Sequence, residues 1–246
     1  MKQHEAVLKA MEQLGGYATL GALYQTTLKI PDCAWNAKDP FANIRRIVQT
    51  NPKFFKIKPG LWGLTSQKEK ILSGLGLTES ASASQTEYFT HSFYQGLLLE
   101  IGLLKSYETY VPPQDKNKQF LQKTLGSLSS LPNIYHFTYD WLVNKAKSVD
   151  VIWFNEKKLP TNFFEVEHST NIQNALDKFS HFCDFKINFY IVADQVRKND
   201  FEEKVSHSIY QSISKSVKFL NYDNLSEFHT RITGLASLSK NTGINL

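Results

Sequence analysis

Residues 149–167 read VDVIWFNEKKLPTNFFEVE, two apolar runs separated by a polar stretch that ends in a proline. VDVIWF (149–154) and NFFEVE (162–167) are rich in β-branched and aromatic residues and short enough to be strands. The intervening FNEKKLPT suits a hairpin connection, so the two runs are predicted to lie side by side. Side chains alternate between the faces of a strand, which puts Glu165 and Glu167 on one face and Phe164 and Val166 on the other. Asp150 stands in the first run among Val149, Val151, Ile152 and Trp153, so the hairpin brings Asp150, Glu165 and Glu167 together. Three clustered carboxylates repel one another and rise in pKa unless a divalent cation compensates. Mg²⁺ suits an all-oxygen set of this kind, and a metal so placed activates a water for attack on a phosphodiester. A competing reading puts Glu165 and Glu167 on the solvent face of an edge strand, with Asp150 marking the strand's start. The hydrophobicity of the remaining positions weighs against it.

Further along the chain, INFYIVA (187–193) reads as another strand, with a helix near 171–182 before it. A helix at 196–213, a strand at 217–222 and a helix at 223–232 follow. On the N-terminal side, 87–104 (EYFTHSFYQGLLLEIGLL) is predicted to be a helix with a long apolar face and 107–111 a strand. Residues 112–133 form an irregular polar excursion, and 138–147 a short helix. Strands alternating with helices after an early hairpin predict an α/β domain with a mixed central sheet.

The first quarter of the chain has another pattern. Ala6, Val7, Ala10, Met11 and Leu14 form a helical stripe that Gly15-Gly16 ends, and Thr19 is a cap for a second helix to about residue 28. A loop with Pro31 and Asp32 leads to Asp39-Pro40, the cap and first residue of a third helix with Phe41, Ile44, Ile47 and Val48 inward. FFKI (54–57) and LWGL (61–64), joined by Lys58-Pro59-Gly60, complete three helices plus a β-hairpin, the description of a winged helix. The Ser/Ala run at 80–84 reads as flexible. The expected organisation is therefore a winged helix at 1–65, a linker at 66–86 and the α/β domain at 87–246.

Charge follows the same division. Of the net +5, all lies in residues 1–66, which hold nine Lys/Arg against four Asp/Glu, whereas the remainder holds nineteen of each. A local basic surplus suits phosphate-backbone binding. On the outer stripe of the third helix lie Asn43, Arg46 and Gln49, with Arg45 flanking, types that pair with guanine and adenine edges. Lys53, Lys56 and Lys58 would line the wing and meet phosphates. A solvated helix face, or a winged helix used for protein contacts, is the alternative. No apolar run approaches the roughly 20 residues of a membrane span. The opening MKQHEAVLKAMEQLGG is not an export signal, and Cys33 and Cys183 show neither disulfide nor zinc spacing, which together point to a reducing cytoplasm.

Asp150 followed by a hairpin and Glu165-Val166-Glu167 resembles the PD-(D/E)xK nuclease pattern, with Glu in place of the final lysine. The strings VDVIWF and FFEVEHST, followed by a helix containing NIQNALDKF, are similar to restriction-endonuclease-like proteins of that superfamily over roughly residues 88–225. The resemblance implies that Asp150 and Glu165 are metal ligands and that Glu167 occupies the lysine position. It also implies that Glu100, on the helix before the first strand, is a further metal candidate. Lys178, on the next helix, is a candidate for the missing cation, although a solvated helix lysine is the favoured reading. His168 should point to the opposite face from Glu167, and the other histidines, His91 among them, show no ligand spacing. Residues 6–64, closing in NPKFFKIKPGLWGL, resemble the HARE-type winged helix. Together these imply a type II-like restriction endonuclease that cuts double-stranded DNA with Mg²⁺, for which Mn²⁺ substitutes, and that forms a homodimer to cut both strands. The rival is a non-catalytic DNA-binding protein with a degenerate nuclease fold, favoured by the missing lysine. An RNA-processing or repair nuclease differs only in substrate.

Overall fold

A computed structural model describes residues 1–35, 39–168 and 172–242. Positions 36–38, in the loop before the third helix, and 169–171, which include the expected start of the helix after FFEVEH, lie outside the described residues, as do the last four. The chain divides into two compact units, residues 1–86 with 226 onward, and 87–225.

In the first unit α1 (Gln3–Gln13) buries Ala6, Val7, Ala10 and Met11, the stripe read from the sequence. Gly15 and Gly16 take positive φ and end it, a conformation that glycine adopts without strain. A strand not anticipated, β1 (Tyr17–Thr19), leads into α2 (Leu20–Thr27), where the Thr19 hydroxyl accepts from the Ala22 N–H at 3.2 Å. Three residues are too few to show a period, so β1 leaves no mark in the pattern. α3 (Pro40–Thr50) is capped as expected, Asp39 Oδ1 accepting from Ala42 N at 3.0 Å. β2 (Phe54–Lys58) and β3 (Leu61–Leu64) form the hairpin, with Gly60 at φ +75° in its turn, and β3 lies between β1 and β2, antiparallel to both. The first unit thus joins three helices to a three-stranded antiparallel sheet. The segment read as a linker contains a helix, α4 (Lys68–Gly74).

The second unit begins within α5 (Ala83–Leu104), buried nearly all round from Phe89 to Gly102, which is why its amphipathic period is weak. β4 (Glu108–Tyr110) is followed by the excursion, which holds a minimal hairpin, β5 (Gln119–Phe120) and β6 (Lys123–Thr124), and a single turn, α6 (Leu125–Leu128). Phe120 and Leu125 anchor it in the interior. A side-chain carbon at Gly96 would overlap the edge of the Phe120 ring, so the helix needs glycine where this hairpin seats. There follow α7 (Asp140–Ala146), β7 (Val151–Phe154), β8 (Pro160–Glu167), α8 (Ile172–Ser180), β9 (Asn188–Ala193), α9 (Lys198–Val205), β10 (Val217–Asn221) and α10 (Tyr222–Thr242). The single helix expected at 196–213 is broken after Val205. A separate turn at Ser208–Tyr210 buries Tyr210, whose hydroxyl donates to Asp177.

The five strands are ordered β10-β9-β8-β7-β4. β4, β7 and β8 run antiparallel, and β8, β9 and β10 run parallel, giving the mixed sheet that the sequence predicts. β8 is central and buried on both faces, so its two glutamates are enclosed. One face carries Ile152, Phe154, Phe163 and Phe189 against Leu176, Phe179 and Phe182. Beyond Leu225, α10 belongs to the first unit, where Thr233 lies so close to Gly21 that a Cβ there would sit 2.7 Å away. Among the described residues no helix is long and apolar enough to cross a membrane.

Candidate active site

Asp150 immediately precedes β7, and its Oδ2 accepts from the Val166 N–H of β8 at 2.7 Å. That bond ties the acid to the strand carrying Glu165 and Glu167, as the hairpin reading requires. All three acids are buried, at 9, 3 and 5 % exposure. Their partners differ from those expected.

On α5, His91 and Gln95 are four residues apart and so share a face. His91 Nε2 lies 3.4 Å from Asp150 Oδ1 and 3.8 Å from Asp115 Oδ2. Gln95 Nε2 donates to Asp115 Oδ2 at 2.7 Å and to the Asp150 carbonyl at 3.2 Å, and Lys118 pairs with Asp115 Oδ1 at 2.7 Å. His91, Asp115 and Asp150 present one ligand atom each, all within 4.8 Å of one another. Gln95 Oε1, fully buried in the same cluster, has no hydrogen-bond partner among the described residues. Adjacent donor atoms around an octahedral ion with bonds of about 2.1 Å are about 3 Å apart, so this spacing admits a small divalent cation with modest adjustment.

Glu165 faces a different cation. Lys178 Nζ of α8 donates to Glu165 Oε2 at 2.6 Å and to the Ser148 carbonyl at 3.1 Å, whereas Glu165 Oε1 has no partner among the described residues. Lys178 is therefore part of the site, correcting the expectation of a solvated lysine.

The electrostatics follow from burial and pairing. Burial, reinforced by the Asp150 charge, holds the Glu165 carboxyl well above the usual carboxylate range, with Lys178 opposing. Burial also pushes Asp150 up, but His91 and the Val166 N–H outweigh it and leave Asp150 below its ordinary value. The converse holds for His91 and Lys178. Burial lowers both, yet Asp150 and Glu165 respectively win, and each base is raised.

Glu167 is enclosed at the end of β8, its carbonyl accepting from the Tyr222 hydroxyl at 3.1 Å, and its charge acts on Glu165. Glu100 is not in the ligand-spaced group. It lies nine residues beyond His91, about half a turn round the helix. His91, Gln95 and Asp115 escaped the sequence reading. Polar side chains at i, i+4 within the apolar stretch FTHSFYQGLLL were the available signal, but Asp115 comes from an irregular segment with no periodicity to interpret.

In the first unit Arg46, Gln49, Lys53 and Lys56 are exposed, and Asn43 and Lys58 half-buried. Arg45 is half-buried as well, and its Nε donates to the Tyr24 hydroxyl at 3.2 Å, so its head group braces α3 against α2.

The family described as the type II restriction enzyme NmeDI C-terminal domain matches residues 76–241, more than half of the chain. The chain belongs to that family. No curated protein and no solved structure matches it. The NmeDI C-terminal domain match contains every residue of the His91–Asp115–Asp150 and Glu165–Lys178 clusters, and leaves residues before 76 outside.

Proposed function

We propose that the chain is a type II-like restriction endonuclease that hydrolyses DNA phosphodiesters at the Asp150–Glu165 site, using Mg²⁺ with Mn²⁺ as a substitute. The observation that carries this reading is the buried Glu165–Lys178 pair beside Asp150, within a domain of the NmeDI family. In the PD-(D/E)xK-like scheme Lys178 does the work of the lysine whose place in the strand is taken by Glu167. A bound cation would be held by Asp150 with His91 and Asp115, and supplies Lewis-acid stabilisation of charge on the phosphate. The unpartnered Glu165 Oε1 can accept a proton from an attacking water, while Lys178 Nζ fixes the carboxylate's orientation. Glu167 keeps negative potential at the strand end, and the burial of Asp115, Asp150, Glu165 and Glu167 limits competing solvent.

Residues 1–65, HARE-like, would bind duplex DNA through Arg46, Gln49 and Asn43 on α3 and Lys53, Lys56 and Lys58 on the wing, followed by a connection at 66–86 and the nuclease domain. A homodimer would present two sites to two strands. The rival, a binder that does not cut, drew its support from the absent lysine, and Lys178 beside Glu165 takes that support away. Purified protein is incubated with methylated and unmethylated plasmids in Mg²⁺ or Mn²⁺, alongside Asp150→Ala. Metal-dependent cleavage by the parent and none by the variant is expected. No cleavage of any plasmid, or equal cleavage by the variant, refutes the enzyme reading.

A further inference from the structure

At the opposite end of β8 from Glu165 and Glu167 is a cavity of about 480 Å³, within the roughly 300–1,000 Å³ typical of small-ligand sites. Its walls are of two kinds. Tyr107, Phe137 and Phe185 supply rings, and Asn155, Asn162 and Asn188 supply amides. Tyr107 is backed by Trp153, on which it stacks at 5.3 Å and 19°, and within the wall Phe137 meets Phe185 edge-on at 6.0 Å and 85°. The amides are differently committed. Asn155 Oδ1 accepts from the backbone N–H groups of Lys157 and Leu159, which fixes its orientation and leaves its NH₂ as a donor. Asn162 pairs with the Tyr190 hydroxyl. Asn188 makes no side-chain hydrogen bond among the described residues, so both its donor and its acceptor are open. Lys186 also lines the cavity, and among the described residues it has no carboxylate partner.

We propose that this cavity receives a nucleobase turned out of the DNA duplex, a reading that rests on the nuclease function proposed above. Flat rings with fixed amides at their edge are the means by which proteins hold an extruded base, stacking on its faces and pairing with its hydrogen-bonding edge. The open donor of Asn155 and the donor–acceptor pair of Asn188 match such an edge. Lys186 provides the cation that the attached phosphate needs.

The probes are the four deoxynucleosides and 5-methyldeoxycytidine, which carry no phosphate to occupy the cleavage site, with deoxyribose as control. Binding to the full chain is followed by tryptophan fluorescence, for which Trp153 behind Tyr107 is the reporter. Saturable binding of at least one nucleoside is expected, with none of deoxyribose, and Tyr107→Leu should weaken it about tenfold. Asn188→Asp, at an exposed position where folding is undisturbed, removes the amide donor and should alter the order of preference among the bases. The 5′-monophosphate should bind more tightly than its nucleoside, and Lys186→Glu should abolish that gain. Asp150→Ala is expected to keep nucleoside binding, so a protein that binds bases but cuts nothing separates failure of the nuclease reading from failure of this one. Absence of nucleoside binding, or equal binding by parent, Tyr107→Leu and Asn188→Asp, overturns the proposal.

Discussion

Replacing Lys178 by Met tests whether the buried Glu165 carboxylate depends on that single cation. The Nζ–Oε2 distance is 2.6 Å, and the lysine side chain is 26 % exposed against 4 % for the glutamate. At an effective dielectric of about 20, Coulomb's law gives about 6 kcal/mol of attraction at that separation, a gross figure. Removing one member of a buried pair lowers stability by about 3–5 kcal/mol, and the lysine's partial exposure places this case near about 3 kcal/mol. The reverse deletion is milder. Glu165→Gln leaves a lysine that can turn toward water, and about 1 kcal/mol is expected. The double variant should therefore resemble Glu165→Gln, not the sum of the two. The pH dependence has a definite sign. Glu165 is raised in the folded state, so it contributes stability that is present below its unfolded value and is lost as pH rises through the folded one. Without Lys178 the folded value rises further, so the gap between parent and variant should widen from pH 5 to pH 8. Urea unfolding in EDTA at both pH values measures it. A loss that is independent of pH, or strictly additive single losses, refutes the reasoning.

Gly96→Ala should destabilise by about 2 kcal/mol in urea despite alanine's higher helix propensity, because the new methyl competes with the Phe120 ring for the same space. Tyr110 donates to the Lys147 carbonyl at 3.2 Å, and burial pushes its hydroxyl up to about 12. Its contribution is complete below the unfolded value of about 10 and is lost as pH rises toward 12, so Tyr110→Phe should flatten the alkaline limb of a stability–pH curve while losing about 1 kcal/mol at neutrality. Lys56→Ala should weaken duplex binding whatever the sequence and reduce the slope of log K against log salt by about 1. Arg46→Ala should instead narrow the difference between preferred and random duplexes, both read by fluorescence anisotropy.

The pattern in the sequence was most readable where one face of an element is buried and the other wet. α1 and α3 show their helical period, and the caps at Thr19 and Asp39 form the bonds that their chemistry predicts. β7 and β8 could be placed because their apolar runs are bounded by the polar NEKK and HST. The break after Val205 had no such signal, since Tyr210 is drawn inward by a hydroxyl bond to Asp177, thirty-three residues earlier in the chain. In the candidate site, Asp150, Glu165 and Glu167 stood out in the sequence because an acid in an apolar strand needs an explanation. Lys178 was readable only as a candidate, because its partner Glu165 comes from a different element; His91 had only its i, i+4 spacing with Gln95 to mark it, and Asp115 carries no local period.

Lys178 shows what a short motif encodes. A lysine two positions after Glu165 would emerge on the same face of β8, about 7 Å further along. The physical requirement is narrower than that spacing: a positive charge within bonding distance of one carboxylate oxygen, held away from bulk water. α8 packs on the face where Glu165 emerges, through Leu176 and Phe179, and Lys178 lies between those two residues in the chain, with a flexible stem that can reach back to the strand. Its Nζ is fixed there by the Ser148 carbonyl as well as by Glu165. The charge can therefore come from helix or strand, and once it comes from the helix the strand position is free to hold an acid. On the proposed nuclease reading, Glu167 in place of lysine would mark a site whose cation arrives from another element, and Lys178 is the charge that opposes the burial of Glu165.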